Sequence, residues 1–305
     1  HRTLQMIDTV KRDIAGRYPN DFELTATADG LVSTHKHGKI AALMGIEGGH
    51  AIEDDLRLLR RFHDLGIRYM TLTHTNDNNW GGSSGSQANK GLTEFGKQVV
   101  LEMNRLGMMV DISHVSDRTF YDALETSKAP IFASHSSCRA VSPVPRNMTD
   151  EMIAAMAKKG GVIQINFDCG YLNPDSAKVS SANMKQMMPM FTEMRQKYAG
   201  DPQGMRKAMR EMRSSMPPVP KAKMADVVKH INHVVNIAGV DAVGLGSDFD
   251  GVMCLPEGLD SADKWPNLTR ALLEEGYTAA EIRKIYGENL LRFMASVEKT
   301  AKQLI

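Results

Sequence analysis

Two apolar runs within residues 108–136 are each followed by a Ser-His pair, and this repeat constrains the fold more than any other feature. The residues between them, 116–128, have the pattern of a helix, so the stretch predicts strand, helix, strand. Parallel strands joined by a crossover helix end at the same edge of a sheet. We therefore expect the imidazoles of His114 and His135 to meet in one site. Paired neutral imidazoles are typical ligands of zinc and its neighbours.

The alternation of strand and helix continues along most of the chain. Six strand-length apolar runs are predicted, and nearly all of them lead into a polar residue; their ends are Glu47, His74, His114, His135, Phe167 and Gly246. Polar groups at the carboxyl ends of successive parallel strands are typical of a (β/α)₈ barrel. The competing fold, a doubly wound open sheet, usually has a Gly-rich phosphate turn after its first strand, and the sequence has none.

The predicted fold is therefore α/β, a (β/α)₈ TIM-like barrel. A (β/α)₈ barrel has eight strands, so the count of six is two short. Because the chain opens on a helix, we expect the first two strands of the barrel to be the missing ones. We interpret residues 1–305 as a single barrel domain without its N-terminal portion. Residues 182–224, rich in Met, Lys, Arg and Gln, form a helical insertion within that domain, with a lid as the less favoured alternative to two surface helices.

Composition excludes several classes of function. The net charge of +1 provides no basic field for nucleic acid. No apolar run approaches the roughly 18 residues that a membrane span needs. The three cysteines, at positions 138, 169 and 254, are odd in number and widely spaced, so we expect neither a disulfide framework nor a Cys-type zinc site. The sequence does not indicate whether the protein is cytoplasmic or exported.

Glu47, His114 and His135 are the candidate metal ligands. A carboxylate can bridge two cations while the histidines hold one of them, and two-metal hydrolytic sites place their ions about 3.5–4 Å apart. Gly48 and Gly49 follow Glu47 and would allow the backbone to approach such a site closely. The competing interpretation of Glu47 is an ordinary turn carboxylate.

Three further side chains at strand ends could act on a substrate. Asp248 could transfer a proton as a general acid or base, with Asp250 as the alternative two residues later. Arg146 could hold a substrate carboxylate in bidentate fashion, or be a surface arginine near a helix start. His74 could donate to a substrate carbonyl or oxyanion, or be a structural histidine.

Four other histidines are not expected to bind metal. His35 and His37 precede their strand, which places them at the opposite end of a barrel. His230 and His233 lie on the helix before the last strand, so the same argument makes them structural or surface residues.

Seven stretches that cover nearly the whole chain carry a resemblance to a known family: GIEGGH at 45–50, YMTLTHTNDNNW at 69–80, GLTEFGKQVVLEMNRLGMMVDISHVS at 91–116, SHSS at 134–137, RNMTDEM at 146–152, HINHVVNIAGVDAVGLGSDFDG at 230–251 and GENLLR at 287–292. In this order they resemble the membrane (renal-type) dipeptidase family of zinc peptidases. The resemblance implies a TIM-like barrel of the metallo-dependent hydrolase type with two zinc ions per active site, in which a metal-bound hydroxide attacks the peptide carbonyl of a dipeptide. It also implies a homodimer.

The resemblance implies a role for each matching residue. Glu47 would bridge the two ions, and His114 and His135 would hold the second. His74 would bind substrate or its oxyanion, Arg146 the substrate carboxylate, and Asp248 would transfer the proton.

One departure affects this expectation. The family has a His-x-Asp pair on its first strand, and the printed sequence contains no such strand, so one zinc ion or none could bind to this chain alone. Two alternatives follow: a related binuclear amidohydrolase that acts on other amides or lactones, and a non-catalytic barrel that has lost the first-strand ligands.

Overall fold

A computed structural model describes residues 1–304 and has eight short parallel strands. Strands β3, β4 and β5 form one ladder, β6, β7 and β8 a second, and β1 pairs with β2. The strands are β1 (Phe22–Leu24), β2 (Ile40–Ala42), β3 (Met44–Glu47), β4 (Ile67–Thr71), β5 (Met109–Asp111), β6 (Ala133–Ser136), β7 (Ile163–Ile165) and β8 (Val243–Leu245).

A parallel bridge between Asp111 and Phe132 joins the two three-stranded ladders. The amide of Ile112 donates to the carbonyl of Phe132 at 2.8 Å, and the amide of Phe132 donates to Val110 at 3.1 Å. Six strands, β3 to β8, therefore lie side by side in chain order. Because all of them are parallel, their carboxyl ends share one edge.

Helices connect the strands and cover the outside of the sheet. Within residues 1–304 they are α1 (Arg2–Asp8), α2 (Ala28–Lys36), α3 (Leu56–Asp64), α4 (Glu94–Leu106), α5 (Asp117–Thr126), α6 (Asp150–Lys158), α7 (Cys169–Leu172), α8 (Pro174–Lys197), α9 (Pro202–Ser214), α10 (Met224–Ala238), α11 (Trp265–Glu274), α12 (Ala279–Arg283) and α13 (Asn289–Leu304). None of them is long and apolar enough to cross a bilayer.

Capping residues account for the boundaries of several helices. The hydroxyl of Thr93 accepts from the amide of Gly96 at the start of α4, and Thr149 caps α6 in the same way. Gly107 ends α4 with a φ of 72°, a left-handed conformation that glycine adopts readily.

The core lies between the sheet and its helices. Leu59 of α3 and Val99 of α4 are fully buried, as are Met70 of β4 and Val243 of β8. Burying an aliphatic side chain of this size contributes about 1.5–3 kcal/mol. This packing fixes the strands, and with them the polar residues at their carboxyl ends.

The predicted count of six strands is lower than the observed eight. Each of the six predicted runs overlaps an observed strand, but the first, which leads into Glu47, is divided at Leu43 into β2, which pairs with β1, and β3, which pairs with β4. Strand β1 has only three residues, too few to show the period of two from which strands are predicted. The described strands form parallel sheets and do not close into a barrel.

The expectation that the cysteines form no disulfide is wrong. Cys169 and Cys254 are bonded, with their Cα atoms 5.4 Å apart, although 85 positions separate them in sequence. Cys169 follows β7 and Cys254 follows β8, and these strands are neighbours, so the sheet brings the two cysteines together. Cys138 is free and buried.

The Met-rich segment forms two consecutive helices, α8 and α9. Helix α8 begins at Pro174, earlier than the predicted 182, because Asn173 caps the amides of Asp175 and Ser176. Met184 and Met188 of α8 are more than half exposed.

Candidate metal centre

Glu47 ends β3 and is the carboxylate on which the centre is built. One of its oxygens, Oε1, lies 3.1 Å from Nε2 of His114 and 3.2 Å from Nε2 of His135. Gly48 follows with a φ of 96°, so the chain turns away immediately after the carboxylate. A side chain at Gly49 would overlap the ring of Trp80, and this tight packing fixes the turn.

His114 follows β5 and has a left-handed backbone with a φ of 67°, which is uncommon for a residue other than glycine. Its carbonyl accepts from the amide of Ser84 at 2.8 Å and from the hydroxyl of Thr73 at 3.2 Å. These two donors hold the unfavourable conformation in place. Such strain is concentrated at functional sites.

His135 lies inside β6, not after it as predicted, at a point where the pairing of β6 with β7 shifts register. Irregular strand pairing is frequent beside active sites, where it changes the direction in which a side chain points. Nε2 of His135 is 2.9 Å from Nε2 of His114. The structure thus brings together the two histidines that the sequence repeat predicts to meet.

The three donor atoms have the spacing that a small cation requires. Ligand atoms around a tetrahedral zinc ion with bonds of about 2.0–2.1 Å lie about 3.3 Å apart. The separations among Glu47 Oε1, His114 Nε2 and His135 Nε2 are 2.9, 3.1 and 3.2 Å. One carboxylate oxygen and two imidazole nitrogens are also the donor set that zinc and related metals favour.

His74, three residues after β4, is a fourth candidate ligand. Its Nε2 lies 3.6 Å from Oε2 of Glu47, and its ring centroid lies 4.6 Å from that of His114. Donor atoms of Glu47, His74 and His114 all lie within 4.8 Å of one another. Because Oε2 is the oxygen of Glu47 not directed at His114 and His135, His74 lies where it could meet either a second cation or a substrate oxygen.

The site favours the protonation states that bind metal. The neighbouring imidazoles of His114 and His135 hold the pKa of Glu47 well below its ordinary value, despite the opposing effect of burial. Burial, reinforced by the charge of Arg146, lowers the pKa of His114 to about 3. Glu47 is therefore ionised and His114 neutral near pH 7, and a neutral imidazole has a lone pair on one of its two nitrogens.

Asp111 is a buried carboxylate beneath the centre that the sequence analysis did not single out. It accepts four hydrogen bonds, from the amides of Ser113 and Ser134 and from the hydroxyls of Thr71 and Ser134. A charged residue in the middle of the apolar run MMVDI is the sequence signal that could have identified it, because an unpaired buried charge is very costly.

Arg146 lies directly against β6, the strand that contains His135. Its Nη2 donates to the carbonyl of His135 and its Nη1 to the hydroxyl of Ser136, both at 2.6 Å, and its guanidinium lies 5.5 Å from the ring centre of Tyr171. Its Nε is buried and has no partner. Buried donors without partners are rare in folded proteins, so this N–H is an unusual feature of the site.

Asp248 follows β8 and has a left-handed backbone with a φ of 58°. The side-chain amide of Asn166 donates to its Oδ2 at 3.1 Å. Asp248 lines a cavity of about 520 Å³ together with Glu47 and His135. Asp250 is exposed and does not line this cavity, so the geometry favours Asp248 for a role in the site.

The four histidines that were not expected to bind metal lie away from this cluster. His230 is fully buried, accepts from the amide of Cys138 at Nδ1 and contacts the carbonyl of Leu172 through Nε2. His233 pairs with Asp150 at 2.9 Å. His35 and His37 lie at the end of α2, which precedes β2, and so stand at the amino end of the sheet.

The long loop at residues 75–91 is attached to two of the histidines. The hydroxyl of Ser83 donates to the carbonyl of His74 at 2.5 Å and also lies within reach of the carbonyl of His114. The adjacent amide of Ser84 donates to the carbonyl of His114. The loop therefore spans the ends of β4 and β5.

Comparison with known proteins places this arrangement in one family. The family model described as membrane dipeptidase (peptidase family M19) matches residues 1–305. A protein of Schizosaccharomyces pombe, named as an uncharacterized dipeptidase, is 34% identical over 99% of this chain, which spans 64% of that relative's length.

Two solved structures are similar in both sequence and fold. The probable dipeptidase PvdM from Pseudomonas aeruginosa has a TM-score of 0.80 and 27% identity, covering 96% of this chain and 78% of its own. A metallopeptidase from Rhodobacter sphaeroides, solved with a phosphinate mimic of the dipeptide L-Ala-D-Ala, has a TM-score of 0.73 and 29% identity, covering 90% and 69%. The chain described here belongs to the membrane dipeptidase family, peptidase family M19.

Proposed function

We propose that this protein contributes the main part of a metal-dependent dipeptidase, with Glu47, His114 and His135 holding a divalent cation. The observation that carries the proposal is the spacing of their donor atoms, 2.9–3.2 Å, beside a buried arginine N–H without a partner. The names of the similar proteins, a dipeptidase and a metallopeptidase bound to a dipeptide mimic, support this choice of substrate class.

We propose zinc as the metal, two ions per site, with Glu47 as the bridge. Such ions would act as Lewis acids and lower the pKa of water so that hydrolysis proceeds at neutral pH. Within the residues described here, Glu47 directs Oε1 toward His114 and His135 and Oε2 toward His74. His74 is then placed to donate a hydrogen bond to the substrate carbonyl oxygen as negative charge develops on it.

Arg146 is proposed to hold the carboxylate of the dipeptide. Two of its nitrogens are fixed by His135 and Ser136, so the guanidinium is oriented before any substrate arrives. A carboxylate that reaches Nε would satisfy the buried donor, and charge-assisted hydrogen bonds of this kind are about twice as strong as neutral ones. Specificity for a free carboxyl end follows from this contact.

Asp248 is proposed to transfer the proton to the leaving amine. The amide of Asn166 fixes one of its oxygens, which leaves the other free to exchange a proton in the cavity shared with Glu47 and His135. A positioned carboxylate in this role contributes typically 10²–10⁴-fold in rate.

We also propose that β3 to β8 are six strands of a (β/α)₈ barrel whose remaining two strands lie between β8 and β3. The 520 Å³ cavity supports this, because residues of every strand from β2 to β8 line it, as they would line the interior of a barrel. A His-x-Asp pair on one of them would complete the first metal site. Residues 1–305 would then be part of one barrel domain, with 182–224 as a helical insertion, and the protein would form a homodimer.

The test is the zinc content of the purified protein together with hydrolysis of a dipeptide and of the same dipeptide amidated at its C-terminus. We expect bound zinc and cleavage of the free dipeptide only. Equal cleavage of both compounds, or activity on lactones instead, would favour a related amidohydrolase. Zinc-free, inactive protein would favour the non-catalytic alternative.

A further inference from the structure

The carboxylate of Asp111 connects three strands at the base of the metal centre. It is fully buried on β5 and accepts from Thr71 at the end of β4, from Ser113 just after β5 and from Ser134 in β6. These strand ends lead to the three clustered histidines. A buried carboxylate with four donors is fully satisfied, so it holds the strand ends together without the cost of an unpaired charge.

The groups around Asp111 show that its carboxylate acts only as a hydrogen-bond acceptor. Oδ1 of Asp111 faces the amides of Ser113 at 3.0 Å and of Ser134 at 2.9 Å, and amides can only donate. Oδ2 faces the hydroxyls of Thr71 and Ser134, each at 2.6 Å. A carboxylate in these surroundings accepts all four hydrogen bonds.

Ser134 also lies 2.7 Å from Nδ1 of His135. A serine hydroxyl has one proton and two lone pairs, and here the proton is directed to Oδ2 of Asp111. Ser134 must therefore accept the hydrogen bond from Nδ1–H of His135. If the hydroxyl donated to His135 instead, two oxygen lone pairs would face each other across the 2.6 Å between Ser134 and Asp111, which is repulsive.

We propose that Asp111 and Ser134 are positioning residues for the metal, acting through His135: the chain Asp111–Ser134–His135 keeps the proton on Nδ1 and so leaves Nε2 free to bind the cation. This inference rests on the proposed metal centre. Nε2 is the nitrogen that lies beside Glu47 and His114. The tautomer with its proton on Nδ1 therefore has its lone pair on the nitrogen that faces the proposed cation. Partners of this kind orient ligands and raise their basicity, and losing one typically costs 10–100-fold in metal affinity.

The test compares zinc affinity among matched serine variants, measured by competition with a chromophoric chelator. Ser134→Ala removes the hydroxyl, and we expect zinc to bind 10–100-fold more weakly. Ser134→Thr keeps a hydroxyl and should restore most of the affinity. Ser136→Ala is the control, because the neighbouring Ser136 also carries a hydroxyl, but that hydroxyl accepts from Arg146 and makes no hydrogen bond with the ring of His135.

A second readout reports the tautomer directly. In zinc-loaded protein labelled with ¹⁵N-histidine, the Nδ1 proton of His135 should be observed and protected from exchange with water. In Ser134→Ala this proton should exchange faster and its signal should move upfield, which a merely structural role for Ser134 would not cause.

The outcomes separate this inference from the proposed function. Wild-type protein that binds zinc, with Ser134→Ala unchanged in both affinity and Nδ1 signal, overturns the role of Asp111 and Ser134 and leaves the metal centre standing. Equal weakening by Ser134→Ala and Ser136→Ala also overturns it, because the effect would not depend on contact with His135. Wild-type protein that binds no zinc overturns both.

Discussion

Arg146 donates from Nη2 to the main-chain carbonyl of His135 at 2.6 Å, so the residue proposed to bind substrate is attached to a residue proposed to bind metal. Under this proposal, the substrate carboxylate and the cation would be held at a fixed separation. A peptide of two residues matches such an arrangement better than a longer chain, whose carboxyl end would lie farther from the bond to be cleaved.

Arg146→Lys should reduce kcat/KM for a dipeptide roughly 10–100-fold. Lysine keeps the charge but loses the planar fork that bonds Ser136, His135 and the substrate together, and a hydrogen bond to a charged group contributes about 1.5–3 kcal/mol. Steady-state kinetics on the free dipeptide measure the effect. An unchanged kcat/KM would overturn the proposed contact between Arg146 and the substrate carboxylate.

Asp248→Asn should leave zinc bound and lower kcat at least 100-fold, because asparagine preserves the size of the side chain but cannot transfer the proton. Zinc analysis and steady-state kinetics of the same preparation provide both values. Asp250→Asn is the control and should change kcat less than twofold, because Asp250 is exposed. Full activity of Asp248→Asn would remove Asp248 from the mechanism.

Reduction of the Cys169–Cys254 bond should lower the free energy of unfolding by about 2–4 kcal/mol, since the bond closes a long loop in the unfolded chain. Urea unfolding with and without a dithiol reductant measures this difference. A Cys169→Ser/Cys254→Ser double variant should match the reduced protein and show no response to the reductant. If the reductant also lowered the free energy of unfolding of the double variant, it would be acting on a group other than this disulfide.

Stability should fall as the pH falls from about 6.5 to about 4, in part because of His230. Burial lowers the pKa of His230 from 6.5 to about 4, so in this window the unfolded chain binds a proton that the folded protein does not. The contribution is fully present above pH 6.5 and amounts to roughly 3 kcal/mol.

Urea unfolding at several pH values tests this prediction with His230→Gln. The variant should show a shallower pH dependence, because glutamine does not titrate. An unchanged slope would assign the acid sensitivity to other groups, among which Asp226, Lys229 and His233 are the nearest charged or titratable neighbours.

The sequence predicted the parts of the site that depend on strand order. Parallel strands necessarily end at one edge, so residues that follow them, such as Glu47 and His114, are brought together whatever the details of packing. Helix ends at Thr93, Gly107 and Thr149 were predictable for a similar reason, since caps act through local hydrogen bonds.

The features that the sequence did not reveal depend on contacts between distant residues. The pairing of Cys169 with Cys254 requires β7 and β8 to be neighbours, and cysteine spacing carries no such information. Asp111 and Asn166 act through partners on other strands. His74 was placed near the centre, but its distance to Glu47 could be obtained only from the structure.

The hydrogen bond between the loop at residues 75–91 and His114 couples the motion of this loop to that of the candidate metal centre. Because the amide of Ser84 donates to the carbonyl of His114, opening of the loop must release the backbone that holds His114 in its left-handed conformation. Hydrogen exchange at the Ser84 amide therefore records how often this ligand becomes free to relax. Slower exchange when the cation is bound would mean that the loop and the centre open as one cooperative unit, so that release of the cation and exposure of residues 75–91 to proteases occur together.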